Sequence, residues 1–139
     1  MRSLNETIKL GSNYWKNPLI NNAYFDEFRT TRHFEDRFHE CRKIRNKYPD
    51  RIPVICQKSR TSTLTQLQKT KYLVPQDLTS TQFLFIIRKR LTLPSEKGVF
   101  LFVNNILASS NQTILELYEN YKDPDGFLYM FYSDENVFG

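Results

Sequence analysis

The feature that most constrains the fold is the order of strand-like and helix-like segments that begins at Arg51. Segments rich in β-branched and aromatic residues favour strands, and segments whose apolar residues recur every three or four positions favour helices. The predicted order is strand, strand, helix, strand, helix, strand, with Thr79 or Ser80 as the N-cap of the first of these helices. This order favours an α+β fold in which helices pack on one face of a sheet. The segments are RIPVICQK (51–58), YLV with its preceding lysine (71–74), LTSTQFLFIIRKRL (78–91), GVFLFVNN (98–105), NQTILELYENY (111–121) and GFLYMFYS (126–133).

A further helix is predicted ahead of this series. Phe34, Phe38, Cys41 and Ile44 are spaced by four, three and three positions, so they form one apolar stripe on a helix. Acidic residues open this segment and basic residues close it, which matches the direction of the helix dipole. Pro49 ends the helix, because the residue before a proline avoids helical backbone.

Composition narrows the class of protein. The 139 residues correspond to about one domain, and 40% hydrophobic with 14% aromatic residues can fill one core. No apolar run approaches the roughly 18–20 residues of a membrane-spanning helix, and the first residues lack the apolar stretch of a signal peptide. We therefore expect a cytoplasmic protein. The net charge of +5 favours acidic partners, namely nucleic acid, anionic lipid or acidic peptides, without choosing among them.

The cysteines and histidines do not have the spacing of a metal site. Cys41 and Cys56, with His33 and His39, do not match a four-ligand zinc motif. We expect both cysteines to be reduced thiols at apolar positions, and a redox switch is the alternative. No Ser/His/Asp set and no glycine-rich phosphate loop is visible, so neither enzymatic activity nor a cofactor is expected.

The first 33 residues differ from the rest of the chain. They are rich in asparagine, and Pro18 interrupts them. Apolar residues between Trp15 and Phe28 recur at spacings of four, which favours a short helix. We therefore assign residues 1–33 to a partly ordered or helical N-terminal extension, and residues 34–139 to one domain with a flexible C-terminal tail.

Several segments match a known family in their residues and in their order. They are KIRNKYPDRIPVI, KYLVPQDLT, QFLFIIRKRL, FLFVNN, DPDGFLYMFYSDE and the final FG. Through them the chain resembles the autophagy-related protein 8 family of ubiquitin-like modifiers, which includes GABARAP and the microtubule-associated light-chain-three proteins. The resemblance runs from about Phe34 to Gly139 and does not cover residues 1–33. It implies a ubiquitin-like β-grasp fold with additional N-terminal helices.

The resemblance implies a modifier rather than an enzyme. In the family the C-terminal glycine, here Gly139, is activated by an E1-like enzyme, passed to an E2-like enzyme and joined to phosphatidylethanolamine. The lipidated protein marks autophagosomal membranes and recruits cargo receptors or adaptors, and a cysteine protease is a further partner. We therefore expect the protein on the autophagosomal membrane when it is lipidated. Gly139 suits this chemistry, because glycine has no Cβ and lets partner backbones come close.

The segment KTKYLVPQDL predicts a peptide-binding edge. In a strand, Lys71 and Leu73 face one way, and Tyr72 and Val74 face the other. If this strand lies at the edge of the sheet, an extended peptide can pair with it and place side chains in flanking pockets. The resemblance implies such binding for aromatic-x-x-aliphatic motifs. It assigns the aromatic pocket to Glu40, Ile44, Pro53, Ile55, Lys71, Leu73 and Phe127, the aliphatic pocket to Tyr72, Val74, Pro75, Leu78, Phe83 and Ile86, and contacts with acidic flanking residues to Arg51, Lys69, Lys71 and Arg90.

Several alternatives stay open. Ile55, Phe83 and Ile86 fit an ordinary core as well as a pocket wall, whereas Pro53, Lys71 and Leu73 are expected at the surface. Conjugation to protein lysines is an alternative to conjugation to lipid. A basic nucleic-acid-binding domain is an alternative suggested by RKIRNKYPDR and IIRKR, but no base-stacking motif accompanies them, so nucleic acid is not an expected partner. The sequence does not decide whether Gly139 is the encoded or the processed end, which receptors are preferred, or the oligomeric state.

Overall fold

The computed structural model describes residues 26–135. Within this range the chain forms helices and strands in the alternating order predicted from the sequence, and the α+β class is confirmed. The helices are α1 (Glu27–Thr31), α2 (Phe34–Lys47), α3 (Ser80–Leu91) and α4 (Ile114–Tyr121), and the strands are β1 (Arg51–Lys58), β2 (Lys71–Pro75), β3 (Phe100–Val103), β4 (Ile106–Leu107) and β5 (Leu128–Ser133).

The strands form one mixed sheet in the order β2-β1-β5-β3-β4. β1 and β5 run parallel at its centre, and the other neighbouring strands are antiparallel. β2 is therefore an edge strand, which is the condition for the predicted peptide-binding edge. Its register with β1 places Lys71 opposite Ile55 and Leu73 opposite Pro53.

The main hydrophobic core lies between the sheet and helices α3 and α4. Strand residues contribute to it alternately, because neighbouring strand residues point to opposite faces. Burying one large apolar side chain contributes about 1.5–3 kcal/mol, so this layer is the main source of stability. Its members on β1, β5 and the two helices are Ile52, Val54, Cys56, Phe83, Ile87, Leu91, Ile114, Leu117, Tyr118, Leu128, Met130 and Tyr132.

Helices α1 and α2 cover the opposite face of the sheet. Phe28 of α1 and Cys41 of α2 pack there with Ile55, Phe127 and Tyr129. The two helices of the predicted series, α3 and α4, share one face as expected, while the helices ahead of β1 cover the other. β1 and β5 are buried along nearly their whole length, so both faces of the central strands need cover.

The helix predicted from an apolar stripe is α2. It begins at Phe34 as predicted, but within the stripe only Cys41 is fully buried, and Phe34, Phe38 and Ile44 are half-buried. Arg37, three residues after Phe34 and four before Cys41, lies on the same face of the helix and is 1% exposed. The face of α2 that meets the sheet is therefore partly polar.

Threonines begin both helices of the main core. The Thr79 hydroxyl accepts a hydrogen bond from the Gln82 backbone N–H, and the Gln82 side chain accepts one from the Thr79 backbone N–H. Thr113 and Glu116 form the same capping box at α4. This confirms the cap predicted at the start of α3, and each such cap contributes about 1 kcal/mol.

The short strand β4 is absent from the sequence prediction. Asn104 and Asn105 have φ of 51° and 65°, and positive φ at two successive residues is typical of a type I′ hairpin turn. The turn brings β4 back against β3. Two residues are too few for a periodic signal, so only the turn could be predicted.

The N-terminal extension is described from Asp26 onward. Most of the residues that favour a short helix between Trp15 and Phe28 lie outside the described residues, and the last of them, Phe28, lies on α1. The predicted boundary after residue 33 coincides with the start of α2 and stays a prediction.

Candidate peptide-binding site

The predicted peptide-binding site lies along β2. As predicted, Tyr72 and Val74 face the main core, and Lys71 and Leu73 face the other way and are half-buried. Lys71 forms an ion pair with Glu40 of α2, so the outward residues of β2 lie on the side of the sheet that α2 covers. An edge strand next to a helix is the arrangement to which an extended peptide can add as a further strand.

The residues of the predicted aromatic pocket form a buried floor and a half-buried rim between α2 and β2. Ile55 and Phe127 are 0% exposed, and Pro53 is also buried. The surface position expected for Pro53 is therefore wrong, because β1 lies between two neighbouring strands and against α2. The half-buried members are Glu40, Ile44, Lys71 and Leu73.

Phe28 of α1 belongs to the same floor; the sequence places it on a short helix but does not assign it to this site. Its ring centroid lies 5.5 Å from that of Phe127, edge to face, and 6.1 Å from that of Tyr129. The Lys71 ammonium lies 5.9 Å from the Phe28 ring centroid, within the range of a cation–π contact. The spacing of four that includes Phe28 predicts a short helix, but a local pattern does not show which part of the domain that helix packs against.

The ion pair between Lys71 and Glu40 crosses the rim of this site. The two side chains are 39% and 34% exposed and join β2 to α2. A pair with this exposure contributes only up to about 1 kcal/mol. A side chain that enters the aromatic site can therefore separate the pair at small cost.

The predicted aliphatic pocket combines core residues with exposed ones. Tyr72, Val74 and Phe83 belong to the main core, and the ring centroids of Tyr72 and Phe83 lie 5.7 Å apart, edge to face. For Phe83, as for Ile55, burial agrees with the core interpretation, whereas Ile86 is 37% exposed. The remaining members are the half-buried Leu78 and the exposed Pro75.

Basic side chains follow the whole length of β2. Lys69 Nζ and Arg90 Cζ lie 5.6 and 5.5 Å from the ring centroid of Tyr72. Burial raises the pKa of Tyr72 to about 12, so its hydroxyl is neutral and donates to the Lys69 carbonyl at 2.8 Å. Arg51 is exposed and pairs in register with Pro75 at the other end of the strand. The site can therefore attract acidic peptides along the whole edge.

A buried polar network fastens α1 and α2 to the turn before β5. Arg37 of α2 pairs with Asp125 at 2.5 Å, and the two side chains are 1% and 0% exposed. The Tyr129 hydroxyl donates to the same carboxylate at 2.5 Å. Arg29 of α1 pairs with Asp123 at 2.5 Å. These contacts hold the helical wall of the aromatic site in place against the sheet.

Asp125 stays ionised near neutral pH although it is buried. Burial and the neighbouring Asp123 raise its pKa to about 6, while the Tyr129 hydroxyl, the Phe127 backbone N–H and Arg37 oppose the rise. A buried charge that loses its partner is strongly destabilising. The pair of Arg37 and Asp125 therefore resists separation of α2 from the sheet at pH 7.

Gly126 and Cys41 meet behind the floor of the aromatic site. Gly126 has φ of +97°, a conformation that favours glycine, and a Cβ there would lie 2.7 Å from Cys41 Sγ. Cys41 and Cys56 are both free and buried. Their burial agrees with the expected apolar positions. It raises the pKa of Cys41 to about 12 and also raises that of Cys56, so both thiols are protonated at neutral pH.

The remaining features of the described chain add little to this site. Phe85 on α3 is 60% exposed, and the sequence analysis did not single it out. Within residues 26–135, no group of His, Cys, Asp and Glu side chains is placed to hold a metal ion, and no helix is long and apolar enough to cross a membrane. Gly139 lies outside the described residues, so its reactivity stays a prediction.

The mixed sheet, with α1 and α2 on one face and α3 and α4 on the other, defines a ubiquitin-like protein with additional N-terminal helices. The family model described as "Autophagy protein Atg8 ubiquitin like" matches residues 36–139. The chain belongs to this family, which confirms the resemblance found in the sequence.

Curated relatives and solved structures agree with this assignment. Autophagy-related protein 8 of Pichia angusta is 52% identical over 113 residues, which cover 81% of this chain and 90% of the relative. Autophagy-related protein 8e of Arabidopsis thaliana is 50% identical over 112 residues, which cover 81% of this chain and 92% of the relative. The crystal structure of Trypanosoma brucei ATG8 is similar with a TM-score of 0.75 and 40% identity, over 78% of this chain and 93% of that one. Plasmodium falciparum Atg8, solved in complex with a P. falciparum Atg3 peptide, is similar with a TM-score of 0.73 and 39% identity, over 79% and 97%.

Proposed function

We propose that the protein is conjugated through Gly139 to phosphatidylethanolamine, and that the lipidated form marks autophagosomal membranes and recruits cargo receptors there. The observation that carries this proposal is the family match, because it extends to Gly139. Glycine lets the backbone of an enzyme approach its carbonyl closely. A two-chain lipid attached there would anchor the domain stably, since each buried CH₂ contributes about 0.8 kcal/mol.

In this proposal no side chain of the protein performs catalysis. An E1-like enzyme converts the Gly139 carboxylate to an adenylate and then to a thioester, and an E2-like enzyme transfers it to the amine of the lipid. A cysteine protease cleaves the conjugate. The protein is cytoplasmic before conjugation and bound to the autophagosomal membrane after it.

The edge of β2 is the proposed binding site for aromatic-x-x-aliphatic motifs in the receptors. An extended peptide would pair with β2, with its aromatic residue above the floor formed by Ile55 and Phe127, and its aliphatic residue beside Leu78 and Ile86. The basic side chains along β2 would contact acidic residues that flank the motif. The relative solved with an Atg3 peptide supports peptide binding by a protein of this fold.

A reconstitution tests the conjugation. The protein is mixed with the E1-like and E2-like enzymes, ATP and liposomes that contain phosphatidylethanolamine, and its thioester and its flotation with liposomes are measured. We expect both for the wild type, neither for a chain that ends at Phe138, and a reduced yield for Gly139→Ala because of the added methyl group. A thioester formed by the truncated chain would refute the assignment of Gly139. Transfer to protein lysines with no lipid adduct would refute the lipid part alone.

A further inference from the structure

Asp134, the first residue after β5, is held by two separate loops. Its carboxylate accepts hydrogen bonds from the Ser62 hydroxyl at 3.1 Å, from the Thr63 backbone N–H at 3.2 Å and from the Thr63 hydroxyl. Lys97 Nζ lies 3.6 Å from the same carboxylate. Ser62 and Thr63 belong to the connection between β1 and β2, and Lys97 belongs to the connection between α3 and β3. We call these four residues the Asp134 clamp.

Within the clamp, the Asp134 side chain and Ser62 are shielded from solvent, whereas Thr63 and Lys97 are exposed. The Asp134 side chain is 8% exposed. Hydrogen bonds from Thr63 are the main cause that lowers the pKa of Asp134 to about 2, so the carboxylate is charged at every physiological pH. Hydrogen bonds to an ionised acceptor are about twice as strong as neutral ones. The carboxylate therefore has one preferred position.

The loop that supplies Ser62 and Thr63 is itself attached to β5. The Tyr132 hydroxyl donates to the Thr65 carbonyl at 2.7 Å and accepts from the Leu67 backbone N–H at 2.9 Å. The Ser59 backbone N–H donates to the Tyr132 carbonyl at 2.9 Å. The clamp therefore holds Asp134 against a fixed part of the domain rather than against a free loop.

We infer that Asp134 is a positioning residue for conjugation at Gly139, because the clamp sets the place and the direction in which the C-terminal residues leave the sheet. This inference rests on the proposed function. Residues 135–139 follow the clamp, and at about 3.3–3.6 Å per residue they carry the Gly139 carbonyl no farther than roughly 18 Å from Asp134. The E1-like and the E2-like enzyme must each bind this short segment. Because the clamp already holds Asp134 in place, fewer residues have to become ordered when an enzyme binds.

Two variants weaken the clamp from opposite sides. Asp134→Asn keeps the size of the side chain but removes its charge, and Thr63→Val removes a hydroxyl donor without changing the C-terminal residues. We expect Asp134→Asn to raise the protein concentration for half-maximal thioester formation by the E1-like enzyme roughly tenfold, because ordering one further residue on binding costs about that factor. Thr63→Val shifts this concentration in the same direction by less. The maximal rate stays unchanged, because the reacting carbonyl is unaltered.

Glu135→Gln is the matched control. Glu135 is an exposed acid one residue closer to Gly139, and its backbone rather than its carboxylate hydrogen-bonds Ser133. It should have wild-type kinetics, which would show that the effect depends on the clamp and not on net charge near the C-terminus.

A thermal melt separates positioning from stability. Because this protein is the varied substrate, loss of folded protein would also raise the half-maximal total concentration, by the factor by which the folded fraction falls. A variant whose melting curve shows it fully folded at the assay temperature cannot owe a higher half-maximal concentration to unfolding. A folded Asp134→Asn or Thr63→Val variant with wild-type kinetics refutes the inference and leaves the assignment of Gly139 intact. Failure of the wild-type protein to form a thioester refutes the proposed function instead.

Discussion

Replacement of Gly126 by alanine tests how closely α2 fits the turn before β5. Gly126 has φ of +97°, and an added Cβ would lie 2.7 Å from Cys41 Sγ and 3.3 Å from Cys41 Cβ. The positive φ costs about 1–3 kcal/mol for a residue with a side chain, and the forced contact costs about 1–3 kcal/mol more. We therefore expect Gly126→Ala to lower the free energy of unfolding by about 2–6 kcal/mol.

A double-mutant cycle separates these two costs. Cys41→Ala alone should cost about 1 kcal/mol. Combined with Gly126→Ala, it removes the sulfur that the new methyl group meets, but it does not relieve the backbone. We expect the double variant to be about 1–3 kcal/mol more stable than the sum of the single effects predicts.

Urea unfolding followed by circular dichroism measures all of these variants. Gly98→Ala is the matched control, because a Cβ at that position would meet only the Phe100 side chain, at 3.7 Å. Its effect should stay within about 0.5 kcal/mol. A Gly126→Ala variant as stable as the wild type, or single effects that simply add, would show that the close contact between Gly126 and Cys41 does not limit the packing of α2.

Two further predictions concern the edge of β2. Leu73→Ala should weaken binding of an aromatic-x-x-aliphatic peptide by about 2 kcal/mol in calorimetry while changing the free energy of unfolding by less than about 1 kcal/mol, because Leu73 is half-buried; unchanged affinity would place the site elsewhere. Tyr72→Ala is a poor substitute, because Tyr72 packs in the core against Phe83 and its loss should cost about 3–5 kcal/mol of stability. Arg51→Glu should weaken peptides with acidic flanks more than neutral ones, and the difference should shrink at high salt; an equal loss in a titration of both peptides would exclude Arg51 from the site.

Elements with a strong local signal could be predicted from the sequence. The strand RIPVICQK is β1 over its whole length, and Thr79 caps α3 through a side chain only three residues from its partner. The spacing of apolar residues, the preference of residues for helix or strand, and helix capping are all properties of short segments. They can therefore be predicted directly from the sequence. The family resemblance added the ubiquitin-like fold, which segment order alone left as one possibility.

Long-range contacts could not be predicted in the same way. Arg37 lies on the apolar face of α2 and interrupts its pattern, and it is buried there because it pairs with Asp125. The spacing that includes Phe28 predicts a short helix, but not that Phe28 packs against Phe127 and Tyr129. Both depend on partners that are far away in the chain, and no local pattern reports such pairs.

The family resemblance assigned the residues of the candidate site, and that assignment stays a prediction; how these residues divide between interior and surface could not be predicted. Spacing assigned Lys71 and Leu73 to one side of β2, and the structure agrees. It could not show that Pro53 is buried, because that depends on how α2 lies across β1. Substitutions in the buried floor report on folding, and substitutions in the half-buried rim report on peptide binding.

The position of β5 between β1 and β3 has a mechanical consequence. If Gly139 joins the protein to a membrane and a receptor pairs with β2, tension from the receptor crosses from β2 through β1 to β5 before it reaches the anchor. β5 is hydrogen-bonded to a strand on each side, so a pull along its axis loads both ladders in shear, and many hydrogen bonds share the force. A strand at the edge of the sheet, pulled in the same direction, would load only one ladder. The strand order therefore suits a domain held at one end by a lipid and loaded at its edge by cargo.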